Sequence, residues 1–433
     1  MNDRIRLTRM ICDGNRLVYE FESTLSVFHA KSFFVEYDRP IECGKESLNA
    51  VPFAAVMAPI AWASGAELVI PSLDREFAES LERSRLYFMR WFRGKWPFTS
   101  QLRTALVDNV FEPDRHAMLF SSGLDSLATF VANRDKNPIL FTIFGADIPL
   151  AKTGFISLCR ERFGSFAASQ GAEIRYIRTD VRDVLDTEKL SHWAKNWYGE
   201  VAHGLMISSL LAPTASASVK TLLIASCSHR EGAAYPCGSE KELVQQIRWG
   251  STGLTNDSHE FSRPEKIREY LKGEPSIRKH LRVCWMQFES FNCGRCEKCL
   301  RTICELLVNN VDPAECNFNM DARTLPELKR RMTLGYYSLF RSEGTLDFWR
   351  SIQDALDTES LEDLYGSKEF FRWFAGFTRI RKPLNPAIQK SYAALSDLRS
   401  AAGKAVRPVR ALAKRLHELE VASHKTTPLR AGI

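Results

Sequence analysis

A chain of 433 residues is too long for one ordinary hydrophobic core, and at roughly 150 residues per domain it predicts two or three. A composition of 45% hydrophobic and 26% charged residues excludes a disordered or fibrous chain, and the longest apolar run, Val51 to Ala63, carries two prolines and is too short to span a bilayer. The net charge of +7 belongs to one end: 13 Lys/Arg stand against 3 Asp/Glu between residues 372 and 433, leaving about −3 for the rest.

The N-terminus, "MNDRIRLTRM", has no apolar h-region and predicts no secretory signal. Alternating polar and apolar residues in "RLVYEFES" and "KSFFVEYD" predict antiparallel strands. An apolar helix over 48–63, a strand "AELVIPS" and a charged, aromatic-rich helix from Asp74 to about Trp96 follow. Together they predict a small α+β domain over 1–110 with no recognisable chemical motif.

From about Arg115 the pattern changes to strand, turn and helix. Short apolar runs at 116–120, 138–143, 173–178 and 220–225 alternate with helical stretches, the signature of a parallel sheet covered by helices on both faces. Ligands in such sheets bind beyond the carboxyl ends of the strands. Two polar stretches sit there, "SSGLDS" after the first strand and "SCSHREG" after the fourth.

In "SSGLDS" the small residues Ser121, Ser122 and Gly123 let backbone N–H groups approach a ligand closely, and the helix starting near Asp125 offers its positive end. Such a site suits phosphate, with serine hydroxyls as donors and Asp125 placed to hold Mg²⁺. The plainer alternative is a tight turn in which Ser122 or Asp125 merely caps the helix. A Walker loop is disfavoured, because no Gly-Lys-Ser/Thr follows. The stretch resembles the PP-loop, Ser-Gly-Gly-x-Asp-Ser, of the ATP pyrophosphatases, with Ser122 in place of the first glycine. The resemblance implies ATP binding by Ser121, Ser122, Gly123, Leu124, Asp125 and Ser126, with Asp125 and Ser126 as catalytic residues. It also implies a parallel-sheet nucleotide α-hydrolase fold.

Further on, "CWMQFESFNCGRCEKC" spaces Cys284, Cys293, Cys296 and Cys299 as C-x8-C-x2-C-x2-C. Cys-x-x-Cys pairs hold two thiolates at a bite suited to a tetrahedral ion, so a closed structural Zn²⁺ site is expected. An iron–sulfur cluster is the competitor, but Cys304 follows after four residues with no proline, unlike the ferredoxin pattern. A PP-loop followed by this cluster resembles the 7-cyano-7-deazaguanine synthases over roughly 115–305. "AAYPCGSEKELVQQIRWG" is similar to that family's Tyr-Pro-Asp-Cys segment, and "FSRPEKIREYL" to its Lys-containing helix. The resemblance implies adenylation of a 7-carboxy-7-deazaguanine carboxylate by ATP, attack by an amine to give an amide, and a second round to the nitrile.

The departures are specific. The aspartate after Tyr-Pro is missing before Cys237, "GADIPL" replaces a basic segment, and "EVAHGLM" leaves only His203-Gly204. These differences, with the added N-terminal and C-terminal segments, point to a paralogue of the kind found in antiphage defence clusters, with a retained activation step and an altered acceptor. His203, His229, Arg230 and Tyr235 are the substrate-binding candidates. Arg230 can pair with a carboxylate and Tyr235 can stack on a base, while His203 in an apolar stretch also reads as a core histidine. Cys227 and Cys237 read as ordinary thiols.

The segment 111–320 is thus expected to be the catalytic, zinc-bearing domain, and 321–433 a helical extension with a basic tail. In that tail Val406, Val409, Leu412, Ala413 and Leu416 recur at helical spacing between basic residues, which favours a docking partner protein over lipid. Nothing in the sequence excludes a homodimer, and the clustering of cysteines predicts a cytoplasmic location. Two other readings stand beside the deazaguanine ligase: a tRNA-modifying PP-loop enzyme served by the basic tail, and a degenerate nucleotide-binding regulatory subunit.

Overall fold

The structure, a computed structural model, describes residues 3–225, 235–257, 260–286, 290–333, 339 and 343–380. The basic tail, with its expected partner-docking helix, lies outside the described residues, as do Cys227, His229 and Arg230. The chain divides into two compact units. One holds residues 1–261 and 269–291, the other 262–268 and 292–433.

The first unit is built on one sheet of eleven strands: β1 (Arg4–Asp13), β2 (Arg16–Ser23), β3 (Ser32–Tyr37), β4 (Glu67–Asp74), β5 (Leu102–Val107), β6 (Arg115–Leu119), β7 (Ile139–Phe144), β8 (Ile174–Thr179), β9 (Val219–Ala225), β10 (Arg248–Trp249) and β11 (Thr252–Asp257). Their order is β10-β11-β9-β6-β7-β8-β3-β2-β1-β4-β5. From β11 to β8 every neighbouring pair is parallel. The expected parallel sheet is therefore present, with each of the four expected strands displaced by at most a residue. β7 shows why they were readable: Ile139, Leu140, Phe141, Thr142 and Phe144 are all buried, as a strand covered on both faces requires.

The expected boundary near residue 110 falls inside this unit. β1, β2 and β3 form an antiparallel meander, and β3 then pairs antiparallel with β8, so the sheet continues across that boundary. The helix Val51–Ser64 is buried over almost its whole length, with Pro59 inside it, and packs against the helix His203–Ser209. A helix apolar all round is expected to be enclosed in this way. Cys12 of β1 and Cys43 are joined by a disulfide, which the cysteine pattern gave no reason to expect.

In the second unit the helix Glu297–Leu307 buries Leu300, Ile303, Leu306 and Leu307. Its Arg301 is buried as well, with Nε donating to Glu297 at 2.7 Å and Nη1 to Glu305 at 3.1 Å. Helices Thr324–Thr333, Glu343–Asp354 and Ser367–Ala375 follow. The extension expected from 321 therefore begins within a unit that already includes the helix carrying Cys299. Among the described residues no helix is long and apolar enough to cross a membrane.

Candidate functional site

β6 ends at Leu119, and the next residue, Phe120, is held on β7 by its N–H to Phe141 O (2.8 Å) and by Thr142 Oγ1 donating to its carbonyl (2.7 Å). The chain then turns through Ser121, Ser122 and Gly123 into the helix Leu124–Asn133, where Gly123 is the N-cap and brings no capping side chain. Ser126 Oγ donates to Gly123 O at 3.1 Å and lies 3.5 Å from Ser121 Oγ. Asp125 stands half-buried in the first helical turn. An N-terminus approached by small residues can receive an anion.

Ser122 departs from its expected role. It adopts the left-handed conformation, φ +58°, which glycine takes more readily than any other residue. Its side chain is sealed from solvent, and its hydroxyl donates to His280 O at 2.6 Å. That hydroxyl is thus committed inside the protein and does not add a donor for a ligand. Its carbonyl accepts from Arg282 N at 2.8 Å. Of the two serines before the glycine only Ser121 is exposed.

The strand order places this turn at a topological switch. β6 and β9 are neighbours, with β7 and β8 leading away on one side and β11 on the other. A crevice beyond the carboxyl ends of the strands at such a point is where open α/β sheets bind ligands. A second group of side chains gathers past the same strand ends. Tyr198 donates through its hydroxyl to Asp147, which follows β7, at 3.2 Å. Arg182, which follows β8, lies 3.9 Å from the Tyr198 ring centroid and donates to Ala146 O at 2.6 Å. His203 meets the Tyr198 ring edge-on at 5.1 Å and is hydrogen-bonded through Nδ1 to Ser239 Oγ. Burial, reinforced by the Asp147 carboxylate, holds the Tyr198 phenol well above its usual range, so it remains a neutral donor.

Two glycines bring this group together. Gly204 N donates to Gly238 O at 2.8 Å, and Gly238 N to Gly199 O at 2.9 Å. A Cβ on Gly204 would lie 2.3 Å from Gly238 O, and one on Gly238 2.9 Å from Val201 O, so side chains are excluded at both positions. Residues 198–202 form a π-turn, a distortion frequent at functional sites. Of the sequence candidates, His203 belongs to this group, and Tyr235 is half-buried in the segment leading to Ser239. Sequence reading missed Asp147, Arg182, Tyr198 and Ser239. For Asp147 and Arg182 the signal was the position of "GADIPL" and "RTDVRD" at strand ends; Tyr198 and Ser239 carried none.

The four cysteines converge. The Sγ atoms of Cys284, Cys293, Cys296 and Cys299 lie within 4.8 Å of one another, and that of Cys293 is 3.8 Å from that of Cys299. Sulfurs bound at about 2.3 Å to a tetrahedral ion stand about 3.8 Å apart, so the set fits a single ion and is compatible with zinc. Gly294, at φ +65°, makes the turn that returns backbone N–H groups to sulfur: Arg295 N and Cys296 N donate to Cys293 Sγ at 3.4 and 3.2 Å. Cys296 caps the helix Glu297–Leu307 and accepts from Cys299 N at 3.4 Å.

Fold and site together define an α/β protein with a large, mostly parallel sheet and a four-cysteine cluster that could hold a metal ion. In comparisons with known proteins, no family model, no curated sequence and no solved structure matches the chain.

Proposed function

We propose that this protein is an ATP-dependent ligase that adenylates a deazaguanine carboxylate and passes the acyl group to an amine. The observation that carries the reading is the turn 121–126: a close-approach loop and a helix N-terminus without a side-chain cap, followed by an aspartate, at the switch point of a parallel sheet. The sequence resemblance to 7-cyano-7-deazaguanine synthases supplies the substrate class.

A carboxylate resists nucleophilic attack because its charge repels the nucleophile and oxide cannot leave. Transfer of AMP from ATP to one carboxylate oxygen releases pyrophosphate and creates a leaving group. An amine then adds to the carbonyl carbon, loses its proton to a base and expels AMP, leaving an amide. The N–H groups at 123–126 would hold the departing pyrophosphate, whose charge grows as the bond breaks. Asp125 would hold Mg²⁺, which supplies further charge neutralisation there. Arg182, Tyr198 and His203 supply a cation, a neutral donor and an imidazole on the acceptor side. Cys284, Cys293, Cys296 and Cys299 would hold zinc as a structural ion with no open position for chemistry.

The test is incubation with Mg·ATP and 7-carboxy-7-deazaguanine, with and without ammonia, followed by mass spectrometry. AMP, pyrophosphate and an adenylated or amidated deazaguanine are expected, and Asp125→Ala should slow pyrophosphate release by about 100-fold or more. Absence of both pyrophosphate and adduct would reject the substrate. Retention of tRNA at moderate salt, or nucleotide binding without turnover, would then identify the tRNA or regulatory alternative.

A further inference from the structure

Ser122 and the first cysteine of the cluster belong to one short chain of contacts. Ser122 is bracketed by a single segment: its hydroxyl donates to His280 O at 2.6 Å, and its carbonyl accepts from Arg282 N at 2.8 Å. Arg282 reaches onward, with Nη2 donating to Cys284 O at 3.2 Å. The same segment is seated beneath the loop. The His280 ring packs edge-on against Phe166 at 5.3 Å, and Phe166 stacks at 4.9 Å on Phe120, the residue that leads into the loop. A Cβ on Gly123 would stand 3.7 Å from Arg282 O, so the segment borders the loop's next residue too.

We propose that residues 280–284 are a strap that couples metal occupancy of the four-cysteine site to the backbone of the 121–126 loop. A metal ion held by the cysteine cluster would fix Cys284. Two residues earlier Arg282 holds the Ser122 carbonyl, and two residues before that His280 holds its hydroxyl. Ser122 keeps a left-handed backbone that a non-glycine residue seldom adopts, and that conformation needs an external tie. The serine thus gives the loop an anchor that glycine could not, and the anchor is a side-chain hydrogen bond to the segment that carries a metal ligand. Coupling of this kind is reciprocal: an anion seated in the loop slows loss of the metal, and loss of the metal weakens binding of the anion. The anion arm rests on the adenylating reading; the metal arm does not.

The experiment measures zinc release from the full-length protein to excess chromogenic chelator, after reconstitution with Zn²⁺ where the purified protein holds less than one equivalent. Ser122→Gly keeps the backbone freedom and removes only the hydroxyl tie; it should release zinc about 10-fold faster, an effect of the size that losing a hydrogen-bond partner of a ligand has on metal affinity. Ser121→Ala, which leaves the strap intact, should release at the wild-type rate. So should Leu254→Ala in β11, which controls for general destabilisation. Saturating Mg·ATP should slow release from the wild type by about five-fold or more, and this protection should be lost in Ser122→Gly. Wild-type release from folded Ser122→Gly, equal acceleration by Leu254→Ala, or failure to bind any metal would each overturn the strap. Should Ser122→Gly not fold, equal release rates with and without bound Mg·ATP in the wild type overturn it. Calorimetry that finds no Mg·ATP binding to the zinc-loaded protein sinks the adenylating reading instead, and the Ser122 arm still decides the strap.

Discussion

Glu173, one residue before β8, receives Arg39 and Arg175 on one carboxylate oxygen and Arg115 on the other, each at 2.8 Å. Partial burial pushes its carboxyl up, but hydrogen bonds from Arg175 and Arg115 outweigh this and hold it below the usual glutamate value. A depressed folded value means the stabilisation is complete above the unfolded value of about 4.3 and is lost as pH falls through the folded one. Glu173→Gln should therefore cost of order 1 kcal/mol at pH 7. The gap between variant and wild type in urea titrations should close on acidification below about pH 4.3. A gap of equal size at pH 3 and pH 7 would show that charge is not its source. At this scale the sequence was uneven as a guide. The cysteine cluster was legible because its four thiols crowd between Cys284 and Cys299, and tight turns fix their geometry locally. The role of Ser122 was not, because its partner carbonyl lies 158 residues away and nothing in "SSGLDS" encodes it.

Among elements, the helix Thr153–Ser169 secures the face of the sheet beneath the loop. Its Phe163 and Phe166 meet Phe120 at 5.6 and 4.9 Å, and Phe130 of the helix Leu124–Asn133 approaches Phe166 at 5.0 Å. Phe166 is fully buried, so Phe166→Ala should lose about 3–5 kcal/mol, transfer and cavity terms together, read as a lower urea midpoint with unchanged slope. A loss under about 1 kcal/mol would mean that the neighbouring rings collapse to fill the gap. β7 and β9 were legible because each is a short, mostly apolar run, whereas β8, "IRYIRT", carries two arginines. β11 was not, since "TGLTND" buries Thr252, Leu254 and Asn256 on one face and reads as a polar loop. Within the extension expected to be helical, "FWRSIQDALDTESLEDLYGSKEFFRWF" falls on two helices with an irregular stretch between Asp354 and Ser367. There Gly366, at φ +75°, sets the start of the second.

For the molecule as a whole, the N-terminal strands are part of the central sheet, and periodicity could not reveal this because the β3–β8 pairing joins distant segments. The Cys12–Cys43 disulfide, closing a separation of 31 residues, restrains the β1–β3 meander in the unfolded chain. A loop of that length is worth roughly 3–4 kcal/mol in chain entropy, so Cys12→Ser/Cys43→Ser should be less stable by about that amount than the oxidised protein. Peptide mapping without reductant should recover the two cysteines as one linked fragment. Two alkylatable thiols there would show that the bond is not made.

The β3–β8 junction also sets an order of events during synthesis. Arg178 of β8, which pairs with Glu36 of β3, is added 142 residues after it. At 5–20 residues per second the ribosome needs roughly 7–30 s to supply it. For that interval the hydrogen-bonding edge of β3 has no partner strand, although the meander behind it can already form. The β3–β8 junction thus closes only after that wait, and the emerging chain would benefit from a chaperone that shields one edge for tens of seconds.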